Sequence, residues 1–234
     1  MNLLAPPKKS EKTQVQYTLG LFDDLPGAPG GVRAIGRQAF VLEGFALPYI
    51  AALLPLLDSI KRRAQIRHMV TPGGFTMSVG LTNCGALGWV SDRQGYRYSA
   101  VDPLSGEPWP ALPPLMLELA REAAQKAGFE HFDPDACLIN HYAPGARMSL
   151  HQDRDEKQLG EPIVSVSLGL PATFLFGGFE RSDRTQRVPL VHGDVVVWGG
   201  ADRLRFHGVL PIKPAEHSLL GPWRINCTFR KAGH

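Results

Sequence analysis

The chain has 234 residues, 44% of them hydrophobic and 20% charged, with a formal net charge of +3 at pH 7. That length and apolar content can bury a sizeable core as one large domain, alone or with extensions, and exclude a globally disordered chain. So mild a charge permits contact with a polyanion without demanding it, and any nucleic-acid footprint must be local.

The first 34 or so residues are rich in Pro, Gly, Lys and polar side chains, with Leu-Pro-Gly-Ala-Pro-Gly-Gly at 25–31. Such a stretch buries little and is expected to be a mobile or surface-draped arm, with the folded domain over 35–234. It contains no long apolar segment, and no apolar run elsewhere reaches transmembrane length; a soluble, cytoplasmic monomer without a membrane partner is expected. Cys84, Cys137 and Cys227 are odd in number and lack C-x-x-C spacing. That argues against a disulfide framework or a zinc site and fits a reducing compartment.

A short strand is expected at Gln38–Leu42. From Phe45 to about Arg67, Leu53, Leu54, Leu57 and Ile60 recur at helical spacing. Pro48 is tolerable in a first turn, whereas Pro55 predicts a kink or two short helices. The basic end Lys61-Arg62-Arg63 suits a helix C-terminus. Residues 69–98 read as short strands broken by glycine, with a hairpin turn at Gly73-Gly74. There Trp89, Tyr96 and Tyr98 accompany Arg93 and Arg97. Such a set can stack bases and hold phosphates, or its rings can simply pack on a sheet. After a Pro-rich loop, Leu115–Ala127 reads as an amphipathic helix ended by Gly128.

From Ala136 the pattern turns to β: Cys137–Tyr142, Ile163–Leu168, Thr173–Phe176, Val195–Trp198, Leu204–Val209 and Arg224–Arg230. Short strands at regular spacing with Gly/Pro turns indicate a sandwich or barrel. Within this region lies Arg147-Met-Ser-Leu-His-Gln-Asp-Arg-Asp-Glu156. Two residues apart on a strand, His151 and Asp153 would share one face, and His207 on a later strand could complete a 2-His-1-carboxylate iron site. Alone, H-x-D is weak, since a surface turn with a solvated histidine is the commoner source of that tripeptide. The last strand supplies a second signal. Its positions Arg224, Asn226, Thr228 and Arg230 share a polar face, with Ile225, Cys227 and Phe229 opposite. Two guanidinium forks on one face can clamp the carboxylates of a dicarboxylate such as 2-oxoglutarate; an ordinary charged edge strand is the alternative.

Taken together, His151-x-Asp153, His207 and Arg224-x-Asn226-x-Thr228-Phe-Arg230 resemble the signature of the AlkB family of Fe(II)/2-oxoglutarate-dependent nucleic-acid demethylases. The resemblance extends through Met69-Val-Thr-Pro-Gly-Gly74, Thr82-Asn-Cys-Gly85, Tyr142-Ala-Pro-Gly145 and His192-Gly-Asp-Val-Val-Val-Trp198 and covers about 38–233. It implies a mainly β fold with some α, a double-stranded β-helix (jelly-roll) with supporting helices, and a nucleotide-recognition lid at about 69–98. It implies Fe(II), 2-oxoglutarate and O2, with His151, Asp153 and His207 as the metal ligands and catalytic residues. Asn140, Tyr142, Arg224, Asn226 and Arg230 would hold the cosubstrate. Trp89, Tyr96, Tyr98, Asp155 and Arg181 would meet the substrate, alkylated single-stranded DNA, with RNA left open. The implied reaction is removal of N-methyl groups, as from 1-methyladenine or 3-methylcytosine, releasing formaldehyde, succinate and CO2. A hydroxylase of the same chemistry acting on a protein or small molecule is the alternative. Leu81, Phe75, His141 and Arg154 depart from the bacterial pattern, where Met, Tyr, Arg and Lys are expected, and bear on substrate preference.

Overall fold

The computed structural model describes residues 30–233. Most of the expected arm lies outside that range, but its last residues join the domain. Strand β1 (Val32–Ala34) is hydrogen-bonded to β2 (Ala39–Leu42). A single 3-10 turn at Leu47–Tyr49 takes up Pro48 and leads into α1 (Ile50–Arg63). Pro55 does not divide this helix. It lies on the exposed side, where water can satisfy the carbonyl that proline leaves unbonded. Meanwhile Ile50, Leu53, Leu57 and Ile60 are buried along the other face.

Residues 69–79 form no regular strand. Around Gly73-Gly74 a tight turn is held by one bridge, Val70 to Thr76, with Gly74 at φ +83. Pro72 has no N–H to extend a ladder. Beyond it the expected short strands broken by glycine are present as β3 (Gly80–Gly85) and β4 (Gly88–Asp92). They part at Gly85, whose φ of +122 turns the chain. β4 and β5 (Gly95–Ser99) form a separate two-stranded ribbon turned at Gly95. Helix α2 (Pro114–Lys126) begins on a proline at its first position, which suits a residue without an N–H.

The β series follows as β6 (Ala136–Tyr142), β7 (Met148–His151), β8 (Ile163–Gly169), β9 (Ala172–Phe176), β10 (Gln186–Leu190), β11 (Val195–Trp198), β12 (His207–Val209) and β13 (Arg224–Arg230). β10, not anticipated above, contains Pro189 and sits at a sheet edge, where a missing donor is tolerated. The strands build two sheets, one of seven in the order β1-β2-β11-β8-β13-β6-β3 and one of four in the order β10-β9-β12-β7. This is the expected jelly-roll.

β13 is no edge strand. It lies between β8 and β6, and all seven of its residues are buried. Period-two alternation therefore divides two interiors. Ile225, Cys227 and Phe229 join Ile139, Val164 and Val166 against α1 and α2. On the opposite face Arg224 pairs in register with Tyr142, Asn226 with Asn140 and Ser167, and Thr228 with Ser165. That face is a polar lumen, and the seven-stranded sheet holds it rigidly. The three free cysteines are all buried, with Cys84 directly opposite Cys137 across β3 and β6.

Gly85 sets where the ribbon leaves the sheet, and a Cβ there would stand 2.4 Å from the Asp135 carbonyl oxygen. Gly85→Ala should therefore lose at least about 1–3 kcal/mol from backbone strain alone. The check is a chemical-denaturation curve whose midpoint falls while its slope holds.

Candidate active site

His151 is the last residue of β7, and His207 the first of β12, its antiparallel neighbour; the two are direct register partners. Their rings lie 4.4 Å apart at 53°. Asp153 falls just beyond β7 in irregular chain, so the strand alternation assumed for H-x-D does not place it. Side-chain contacts do so instead. Asp153 Oδ1 lies 3.6 Å from His151 Nε2 and Oδ2 lies 3.7 Å from His207 Nε2. One ligand atom from each residue falls within 4.8 Å of the others, and among the described residues this is the only such group.

The outer nitrogens fix the imidazoles. His151 Nδ1 is 2.9 Å from the Ser149 carbonyl, and His207 Nδ1 is 3.0 Å from the Arg205 carbonyl. A carbonyl can only accept, so Nδ1–H donates and each Nε2 lone pair is left for a metal. Burial, with the neighbouring His151, lowers His207 to about 3, so it stays neutral. Burial pushes the Asp153 carboxyl up, but the charge and hydrogen bonds of the Arg230 guanidinium outweigh it and hold the group well below the usual carboxylate range.

Arg230 donates to Asp153 Oδ2 from both Nε, at 2.9 Å, and Nη2, at 2.7 Å. Nε is also 3.3 Å from Glu156 Oε1. Its fork is thus already engaged, and any pairing with a cosubstrate shares the guanidinium with Asp153. Arg224 differs. It is 1% exposed, donates to Ser167 Oγ and to the Leu170 carbonyl, and its Nε is buried without a partner. No carboxylate among the described residues pairs with it, and burial lowers its pKa to about 10. Asp194 acts on it only from beyond ion-pair distance; a buried guanidinium without a close acid is costly, and an anionic ligand end lowers that cost. Tyr142, pushed up to about 12 by burial, stands opposite it across β6 and β13. Asn140 Oδ1 is buried and unpaired, while Asn140 Nδ2 reaches Asn226 Oδ1 at 3.4 Å. Asn226 is otherwise satisfied by Ser165, Val166 and Thr228. Two imidazoles, one carboxylate and an unpaired arginine are the donor set that a divalent iron and a dicarboxylate would take.

Residues 38–230 match the profile of the 2OG-Fe(II) oxygenase superfamily. The chain belongs to that superfamily. Its similarity to the alpha-ketoglutarate-dependent dioxygenase AlkB of Salmonella typhimurium is 54% identity over 88% of this chain and 92% of the relative, which places it in the AlkB family. The DNA N(6)-methyladenine demethylase ALKBH1C of Arabidopsis thaliana is 32% identical over 63% of this chain and 38% of its own length. The solved structure of OsALKBH1 superposes with a TM-score of 0.75 at 26% identity, covering 86% of this chain and all of that one. The protein is an Fe(II)/2-oxoglutarate-dependent dioxygenase, and its oxidant is O2.

Around this dioxygenase centre the expected substrate residues fall in different settings. Trp89, on β4, stacks on Tyr96 of β5 at 5.5 Å and 16°, and donates from Nε1 to Asp155 Oδ2 at 3.0 Å. Tyr96 and Asp155 are exposed. Arg181 donates to the Leu150 carbonyl beside His151, and its guanidinium covers Phe206 at 5.2 Å. Tyr98, the direct partner of Trp89 across β4 and β5, is engaged differently. Its hydroxyl donates to buried Glu156 Oε1 at 2.7 Å, so that group is committed to the protein. Of the positions that depart from the bacterial pattern, Leu81 is core, Phe75 and Arg154 are exposed, and the His141 ring lies 4.4 Å from that of Trp223, tilted by 37°.

Sequence reasoning assigned no role to Glu156 or Arg203. Arg203 is 3% exposed and donates to the Asp153 carbonyl at 2.6 Å, the Glu161 carbonyl at 3.0 Å and Glu156 Oε2 at 3.1 Å. The only sequence signal was their closeness to Asp153 and His207, which does not reveal burial.

Replacing Asp153 removes the anionic member of the set. Asp153→Ala should abolish turnover and weaken Co(II) binding by more than the roughly 10–100-fold typical of a residue that merely orients a ligand. A Co(II) titration followed by visible absorbance measures it, and near-normal affinity would remove Asp153 from the metal site.

Proposed function

We infer that the protein demethylates N-alkylated bases in nucleic acid, releasing formaldehyde, and that its substrates are cationic lesions such as 1-methyladenine and 3-methylcytosine in single-stranded DNA, with RNA as a further substrate. The observation that carries the base reading is Trp89, whose indole donates to Asp155 two residues from the metal carboxylate. The names of the two relatives, a dioxygenase AlkB and a DNA demethylase, support it. The β4–β5 ribbon would be the working part of the recognition lid.

When bound, Fe(II) and 2-oxoglutarate supply the oxidising chemistry, in which O2 hydroxylates the N-methyl carbon as 2-oxoglutarate becomes succinate and CO2. His151, Asp153 and His207 would hold the metal through Nε2, a carboxylate oxygen and Nε2. Arg224 and Tyr142 would receive the far carboxylate of the cosubstrate, since that guanidinium has no acid of its own. Trp89 offers an electron-rich face worth roughly 0.5 to 2 kcal/mol to a cation. Asp155 adds charge pairing and can accept from an exocyclic amino group. A base methylated on its pairing edge is also cheaper to unstack and flip.

Mass spectrometry of a mixed methylated-oligonucleotide panel after incubation with Fe(II) and 2-oxoglutarate tests this reading. Formaldehyde and restored bases are expected, and no demethylation of any lesion would overturn it. Two variants sharpen it. Asp155→Asn should slow repair of 1-methyladenine and 3-methylcytosine more than that of neutral 3-methylthymine, whereas equal losses across the three would show a structural role. Arg224→Met should raise the half-saturating 2-oxoglutarate concentration by roughly 30-fold or more, the equivalent of at least about 2 kcal/mol for a buried charge pair. The same variant, lacking 2-oxoglutarate, should be no less stable than wild type, because the residue it removes is a buried charge without an ion-pair partner among the described residues.

A further inference from the structure

Two side chains of the β4–β5 ribbon reach the chain that carries Asp153. One is the exposed Trp89–Asp155 bond. The other is the Tyr98–Glu156 bond, which ends on a carboxylate only 6% exposed. Glu156 Oε1 is shared between the Tyr98 hydroxyl at 2.7 Å and Arg230 Nε at 3.3 Å. Arg230 in turn holds Asp153 Oδ2 with two donors. Glu156 Oε2 accepts from Arg203, which also holds the Asp153 carbonyl. A chain of direct contacts therefore runs from the ribbon to the metal carboxylate: Tyr98, Glu156, Arg230, Asp153.

We propose that Tyr98 is a positioning residue that couples seating of the ribbon to the metal and cosubstrate site, so that nucleic-acid binding tightens 2-oxoglutarate binding through Glu156 and Arg230. The proposal rests on the nucleic-acid reading given above. The direction follows from competition for one oxygen. With Tyr98 seated, Glu156 Oε1 has a neutral donor of its own, and Arg230 keeps its better-aligned donors on Asp153. With the ribbon lifted, Arg230 is the remaining donor to that oxygen and is drawn off Asp153. The metal carboxylate then loses the contacts that orient it outside any strand. A base held between Trp89 and the metal centre fixes the ribbon in its seated position, because Trp89 and Tyr98 are direct partners across β4 and β5.

The test measures 2-oxoglutarate affinity without turnover. Fe(II)-loaded protein is titrated anaerobically, following the Fe(II)–2-oxoglutarate charge-transfer absorbance, with and without a saturating 1-methyladenine oligonucleotide. Oligonucleotide binding is followed by fluorescence anisotropy in parallel. The wild type should bind 2-oxoglutarate at least about fivefold more tightly with the oligonucleotide present, the lower end of ordinary site-to-site coupling. By reciprocity, the oligonucleotide should bind more tightly by the same factor with 2-oxoglutarate present. In Tyr98→Phe both factors should fall to about one, with the melting transition retained. That substitution leaves Glu156 its two arginines and strands no buried charge. An unchanged factor in Tyr98→Phe, or oligonucleotide binding by the wild type without any change in 2-oxoglutarate affinity, overturns the coupling alone. No oligonucleotide binding by the wild type overturns the nucleic-acid reading and the coupling with it.

Discussion

The buried charge network of Asp153, Arg230, Glu156 and Arg203 is the constraint on which the site depends. Two carboxylates and two guanidiniums meet in a space where every one of them is less than a tenth exposed. Leaving any one of these charges unpaired there would cost several kcal/mol. The geometry is therefore held tightly, and it needs to be, because Asp153 lies beyond the end of β7 and no strand ladder fixes it. The two histidines are placed by backbone pairing. The carboxylate between them is placed by electrostatics.

The seven-stranded sheet makes that possible by facing two interiors. Its outer face is a dry apolar layer under α1 and α2, and its inner face is a polar lumen along β13 that gives way at β2 and β11 to an apolar cluster with Phe174 and Phe176. β13 sits inside the sheet, bonded on both sides, and serves both. Phe229 and Arg230 are adjacent in sequence, one in the apolar core and the other on the metal carboxylate. A strand so constrained can carry an unpaired guanidinium such as that of Arg224, since its backbone cannot shift to expose it.

The ribbon of β4 and β5 belongs to neither sheet. It leaves β3 at Gly85 and touches the site through two polar side chains, Trp89 and Tyr98, on partnered positions. β4 is anchored, with Val90 buried among Met69, Leu81 and Trp109 and the Trp89 backbone bonded to the Asn83 side chain; the outer strand β5, with no fully buried residue, is the part of the ribbon best able to move. The ribbon's aromatic pair, Trp89 on Tyr96, is kept at the surface while its inner hydroxyl reaches the charge network.

The sequence by itself determined the periodicities and the chemistry. Alternation along 224–230 identified a strand with one polar and one apolar face, apolar spacing identified both helices, and the types of His151, Asp153, His207 and the two arginines fixed what chemistry was available. Alternation follows from the geometry of a single strand, so it is legible before folding. Which face is solvent and which is lumen is not, because that depends on a second layer of protein supplied by distant segments; only the assembled sheets showed β13 buried throughout. The same reason separates Arg224 from Arg230, two identical side chains on one face. One is hydrogen-bonded to an aspartate brought from 77 residues away, and the other has no carboxylate among the described residues within ion-pair distance. Tyr98 and Glu156 were likewise indistinguishable from surface residues until tertiary contact set their burial. The pairing of charges, unlike the alternation of residues, is decided by which parts of the chain become neighbours.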